Sequence, residues 1–117
     1  MIDAGNVVER FNAAWEQGDL AAVTACLATD VTYSPSAWDG PAVTVHGREA
    51  VAAVFAGQLG PGDGPALGAV HVAGDRVGCE WQWPPAADGT TLRGLDVYLV
   101  RDGLIVAKDV FSKVVAR

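Results

Sequence analysis

Basic charge is scarce in this sequence. Eight Lys and Arg face fourteen Asp and Glu, giving a formal net charge of −6, and no basic run occurs. Nucleic-acid binding draws on clustered cations to displace counterions, so that class of partner is excluded. An anionic membrane surface is excluded by the same charge logic. Cysteine is equally sparse: Cys26 and Cys79 stand in no CxxC pair and beside no His at ligand spacing. Both read as buried small hydrophobes, and no metal site is expected. No Gly-rich phosphate loop follows a strand, so a nucleotide is not expected, nor any other cofactor. No apolar run reaches the length of a membrane span. The first residues, Met1 to Gly5, lack the basic start and apolar stretch of a signal peptide, and a reducing cytoplasm is the expected compartment.

What is abundant is apolar surface. Half of the 117 residues are hydrophobic and 19% are charged. That length fits one domain, residues 1–117, able to hold a core without staples. The surplus leaves room for a lined pocket or a subunit interface.

Helical spacing dominates the first half. Asp3 is placed to cap a helix whose apolar face is Val7, Val8, Phe11, Ala14 and Trp15. Gly18 can end it, and Asp19 can cap a second helix that turns Leu20, Val23, Cys26 and Leu27 inward. Val31-Thr32-Tyr33 reads as a short strand stopped by Pro35. Residues 34–42 read as a loop carrying Trp38, and Val43–Val45 as a brief extended piece. A third helix is expected from about Arg48 to Leu59, with Val51, Val54, Phe55 and Leu59 inward. Gly60 to Pro65 is a flexible connection.

Beyond it the period changes to two. Strands are expected at about 67–72, 76–83, 90–101 and 104–115. Ala73-Gly74-Asp75, Pro84 to Gly89 and Arg101-Asp102-Gly103 are the turns, because Gly and Asp accept turn dihedrals. Helices followed by strands indicate α+β rather than α/β. Alternation puts Val77, Cys79, Trp81 and Trp83 on one face of their strand, and Gly94, Asp96, Tyr98 and Val100 on one face of the next. On the last strand either Lys108 or Asp109 points inward, not both, unless a bulge intervenes.

These segments resemble the nuclear transport factor 2-like superfamily. The resemblance rests on Phe11 to Leu20, Leu27 to Tyr33, His46-Gly47-Arg48-Glu49-Ala50-Val51, Val77 to Trp83 and Val100 to Ile105, and it covers nearly the whole chain. It implies a cone: a curved antiparallel sheet of about four long strands plus a short one, wrapped around three N-terminal helices. A pocket inside and a homodimer packed across the sheet are also implied. Members include ketosteroid isomerases, epoxide hydrolases, SnoaL-like cyclases, dehydratases and non-enzymes, so the fold alone does not fix the function.

The family's catalytic sets match in part. Where ketosteroid isomerases carry an Asp base before a Pro, this sequence has Ser34 before Pro35. Phe11 takes the place of their helix-borne Tyr, and Asp96 matches their second oxyanion donor. An unactivated hydroxyl is too weak a base for a carbon-bound proton, which excludes isomerisation of that type. The epoxide hydrolases' Arg-x-Asp keeps its Arg in Arg76-Val77-Gly78 and loses its Asp. Lys108-Asp109-Val110-Phe111 resembles their last-strand motif, with Asp109 one residue early.

The candidate catalytic residues are therefore Asp96 and Asp109. An inward Asp96 would be desolvated, protonated and able to donate to a carbonyl or enolate oxygen. Trp15, Tyr33, Trp38, Phe55, Trp81, Trp83, Tyr98 and Lys108 are expected around a bound ligand. The expected partner is a small hydrophobic, carbonyl-bearing molecule, turned over by an isomerase-, cyclase-, dehydratase- or hydrolase-type enzyme. A non-catalytic ligand-binding module and a dimeric interaction domain are the alternatives.

Overall fold

The computed structural model describes residues 3–59 and 64–117; Gly60 to Asp63 of the expected connection lie outside the described residues. Asp3 caps α1 (Ala4–Glu16) by accepting the Gly5 N–H at 2.7 Å. Asp19 caps α2 (Leu20–Ala25) by accepting the Ala22 N–H at 3.0 Å. Each carboxylate satisfies a donor that the first helical turn leaves free. Gly18 sits between them with φ 67°, a left-handed conformation that a side chain would resist.

After α2 come β1 (Leu27–Ser34), β2 (Val45–His46), α3 (Arg48–Gln58), β3 (Ala66–Ala73), β4 (Arg76–Gln82), β5 (Thr91–Arg101) and β6 (Leu104–Val115). The strands form one curved, unclosed sheet in the order β2-β1-β6-β5-β4-β3. β3 to β6 are the expected antiparallel meander. Asp102 and Gly103, both at positive φ, close the β5–β6 hairpin; two left-handed residues give a turn that suits the strands' twist.

Two features depart from expectation. β1 starts at Leu27, earlier than Val31, because its first residues pair with β6 instead of extending α2. That pairing is parallel, with Tyr33 opposite Lys108 and Ser34 opposite Asp109, so the sheet is mixed. The second feature is a bulge. Leu99 pairs with Ala107 and Val100 with Ile105, which leaves Val106 unmatched. One extra residue reverses the inward parity of a strand. Ile105 is inward before it and Lys108 is inward after it.

α1 packs on β3 to β6 and α3 packs on β1 and β2. The core between helices and sheet holds Val7, Val8, Phe11, Val23, Val31, Val51, Phe55, Val77, Tyr98 and Ile105, all fully buried or nearly so. Cys26 and Cys79 are free and buried within it.

Gly94 lies on the inner face beside Trp81, its partner on β4. A Cβ built there would run into the Trp81 indole and lie 2.6 Å from the Phe111 carbonyl oxygen. The bare backbone lets the indole lie across the sheet. Gly94→Val is expected to displace Trp81 and cost about 1–3 kcal/mol through overpacking. Urea unfolding gives the loss, and near-UV circular dichroism reports the moved indole.

Candidate functional site

The inner face of β5 carries Asp96 and Tyr98, separated by one residue and therefore side by side. The Asp96 carboxylate accepts the Trp81 Nε1–H at 2.9 Å and the Tyr98 hydroxyl at 3.4 Å. Lys108 reaches in from β6, with Nζ 3.8 Å from Asp96 Oδ2. The side chains of this pair keep only 10% and 12% of their surface, Lys108 and Asp96 respectively.

Aromatic rings enclose the lysine. Its Nζ lies 4.9 Å from the ring centre of Trp15, 5.0 Å from Phe55, 5.3 Å from Phe11, 5.5 Å from Tyr33 and 5.9 Å from Tyr98. The rings brace one another: Phe55 meets Tyr33 at 5.0 Å, Trp15 at 5.1 Å and Phe11 at 6.0 Å, in edge-to-face arrangements. Helix spacing explains their convergence. Phe11 and Trp15 are four residues apart on α1 and share a face, while α3 presents Phe55 and the strands present Tyr33 and Tyr98.

Electrostatics follow from this enclosure. Burial raises the Asp96 carboxyl above its ordinary range, against the opposing pull of Lys108 and the two hydrogen bonds. Burial lowers the Lys108 ammonium, opposed by Asp96 and then Cys79. Desolvation thus drives both members toward their neutral forms. Burial also holds the Tyr98 hydroxyl far above its ordinary value, so it stays a donor to Asp96. The Cys79 thiol is raised by burial too, and Asn12 Nδ2 donates to its sulfur at 3.4 Å.

Of the residues expected at a site, the structure brings together Asp96, Trp15, Tyr33, Phe55, Trp81, Tyr98 and Lys108. It separates three. Asp109 is exposed, turned outward by the Val106 bulge that turned Lys108 in. Trp38 is 63% exposed and, with Asp109, lines a recess of about 340 Å³ beside Pro35 and Val110. Trp83 is 38% exposed and lines a larger cleft of about 1150 Å³. That cleft runs along the end of the sheet where β3 and β5 begin and β4 and β6 end. His71, Glu80, Arg93, Leu95 and Phe111 also line it, and Trp81 is common to the cleft and the Asp96 cluster.

Ser34, at the place of the isomerases' base, follows the inward Tyr33 and so falls on the strand's other side, where its hydroxyl meets Thr44 Oγ1 at 2.8 Å. Sequence reasoning gave Phe11 no place in the lining, although its position four residues before Trp15 was the available signal. It also gave none to Asn12 or Cys79. Among the described residues no cluster of three His, Cys, Asp or Glu side chains is placed to hold a metal ion. Among them no helix is long and apolar enough to cross a membrane.

The pair sets a pH dependence. An Asp whose folded pKa lies above its unfolded value binds more protons folded, so its stabilising effect is lost as pH rises through the folded value. For Lys108, with its folded pKa lowered, the unfolded chain binds more protons, and stability is regained as pH rises toward the ordinary lysine range. Unfolding free energy is expected to fall from the ordinary carboxylate range upward as the Asp96 contribution is lost; in alkali the Lys108 recovery is opposed by Cys79 and Tyr98, whose raised values make stability fall with pH there. Urea titrations across pH, with ¹³C-NMR of the Asp96 carboxyl, check it; an Asp96 midpoint in the ordinary range contradicts it.

Comparison with known proteins agrees with this architecture. An NTF2-like protein of unknown function from Mesorhizobium loti superposes with a TM-score of 0.81 at 27% identity, covering 94% of this chain and 90% of that one. An NTF2-like protein from Burkholderia thailandensis gives 0.76 at 25% identity, covering 97% and 92%. One from Cytophaga hutchinsonii, also of unknown function, gives 0.74 at 16% identity over 97% and 92%, a likeness of fold alone. No curated protein matches the chain. The SnoaL-like domain matches residues 8–108, from the second turn of α1 to the enclosed lysine, and the chain belongs to that family of the NTF2-like superfamily.

Proposed function

We propose that this protein is an enzyme of isomerase, cyclase, dehydratase or hydrolase type, acting on a small hydrophobic molecule that bears a carbonyl. One observation carries the reading: a carboxylic acid, Asp96, sits 8% exposed among aromatic rings with a tyrosine and a tryptophan N–H aimed at it. In an apolar enclosure a neutral carboxyl donates to a carbonyl or enolate oxygen, and a hydrogen bond to developing negative charge strengthens there. Trp15, Tyr33, Phe55, Tyr98 and the methylene stem of Lys108 supply apolar contact for the rest of the ligand. Asp109, exposed, has no part in it. The buried free cysteines fit a reducing cytoplasm.

Aromatic ketones, enones and aldehydes are expected to quench tryptophan fluorescence saturably. Asp96→Asn is expected to reduce turnover of whichever compound is converted by ~10²-fold or more. A panel with no saturable binder sinks the reading, and saturable binding without conversion makes the chain a binding module.

The same reading includes a homodimer. Leu95 and Phe111 lie opposite each other on the outer sheet face and are 36% and 56% exposed. A second copy laid across that face would remove both from water. Phe111→Glu is expected to shift sedimentation equilibrium from dimer to monomer; a wild-type chain that stays monomeric at high concentration rules the dimer out.

A further inference from the structure

Lys108 is an unusual core residue. Lysine is almost never fully buried unless paired, and among the described residues its one carboxylate partner, Asp96, stands 3.8 Å away, beyond a short hydrogen bond. Ring faces from α1, α3, β1 and β5 also stand around Nζ. Among the described residues the titratable groups near it are Asp96 and Tyr98 on β5, Cys79 on β4 and Tyr33 on β1. A lysine whose only task is to balance Asp96 would be better served by closer contact. A desolvated amine in an apolar box is the state in which lysine becomes a nucleophile toward carbonyl carbon.

We propose that Lys108 is a covalent carbonyl trap, forming an iminium with an aldehyde or unhindered ketone in the cone while Asp96 carries the protons. This rests on the reading of the interior as a carbonyl site and names the bond made there.

The step balances within the pair. Neutral Lys108 and protonated Asp96 hold the same number of protons as the ion pair, so the reactive form needs only a transfer between them. The amine lone pair attacks the carbonyl carbon, and the π electrons move to oxygen, which takes the Asp96 proton. The Asp96 carboxylate then removes a proton from nitrogen, giving a neutral carbinolamine. Asp96 returns that proton to the hydroxyl, which leaves as water with the C–O electron pair, and the nitrogen lone pair closes the C=N bond. The products are an iminium (a protonated imine), a carboxylate and one water, with no redox partner. The positive iminium nitrogen inherits the ring faces that surrounded the ammonium and remains beside the Asp96 charge. An iminium withdraws electrons from the neighbouring carbon, which suits proton removal, dehydration or retro-aldol cleavage beside the former carbonyl.

The sequence supplies its own control, because it contains two lysines, Lys108 and Lys113. Lys113 is exposed on the outer face. The full chain is incubated near neutral pH with benzaldehyde, hexanal or cyclohexanone and sodium cyanoborohydride, then mapped by peptide mass spectrometry. Lys108 is expected to be alkylated at least ~10-fold faster than Lys113, since the neutral fraction of a lysine rises tenfold for each pKa unit it loses. Asp96→Asn is expected to slow labelling of Lys108 and leave Lys113 unchanged; Lys108→Arg, which keeps the positive charge, should leave only Lys113 labelled. The comparison of the two lysines in the unaltered chain needs no variant to fold. If benzaldehyde quenches the tryptophans saturably but Lys108 is labelled no faster than Lys113, the covalent role is overturned and the carbonyl-site reading stands. If no carbonyl compound either binds or is trapped, both fall.

Discussion

Removing a carboxylate and an ammonium from water together is the constraint around which this fold is arranged. Each ion loses hydration worth several kcal/mol, and their mutual attraction offsets this only with good geometry and further hydrogen bonds. Asp96 receives those bonds from Trp81 and Tyr98. Lys108 receives ring faces instead, which attract a cation more weakly than water solvates it. The carboxylate is therefore better served than the ammonium. Desolvation pushes both partners toward their neutral forms while their attraction opposes it, an arrangement suited to passing a proton between them.

The scaffold holds this balance by dividing the labour. β4, β5 and β6 carry Trp81, Asp96, Tyr98 and Lys108, whose relative positions are fixed by ladder pairing. α1 and α3 bring Phe11, Trp15 and Phe55 over them as a lid of interlocked rings. Strands make the polar geometry stiff, while the apolar cover depends on helix packing that a single large-to-small change could loosen. Trp81 joins the two environments, since it borders the open cleft and donates to the enclosed acid.

Much of this was legible in the residues. The helix caps at Asp3 and Asp19, the hairpin at Asp102-Gly103 and the inward face shared by Asp96 and Tyr98 follow from local chemistry and alternation. What local rules could not reach was long-range pairing. Parallel addition of β1 to β6 depends on residues some seventy positions apart, and neither strand carries a sign of it. Nor is Val106 marked as a bulge by a glycine, so the side on which Lys108 and Asp109 fall was undecided from spacing alone. Trp38 was expected in the lining with the other aromatic rings, yet its loop runs over the surface and takes the ring with it. Gly94 was a clue of the opposite kind: a glycine inside an apolar strand marks a close approach, here by the Trp81 indole.

The unmatched Val106 acts on chemistry as well as on shape. Adjacent residues of opposite charge, Lys108 and Asp109, follow it, and the parity it imposes decides which of them enters the ring box. Were Val106 paired in a regular ladder instead of bulged, Asp109 would fall opposite Asp96 and enter the box in place of Lys108, exchanging a basic interior for an acidic one with no change of sequence. Two chains that keep the same Lys-Asp motif can therefore present opposite charges to the interior, distinguished only by whether a bulge precedes it.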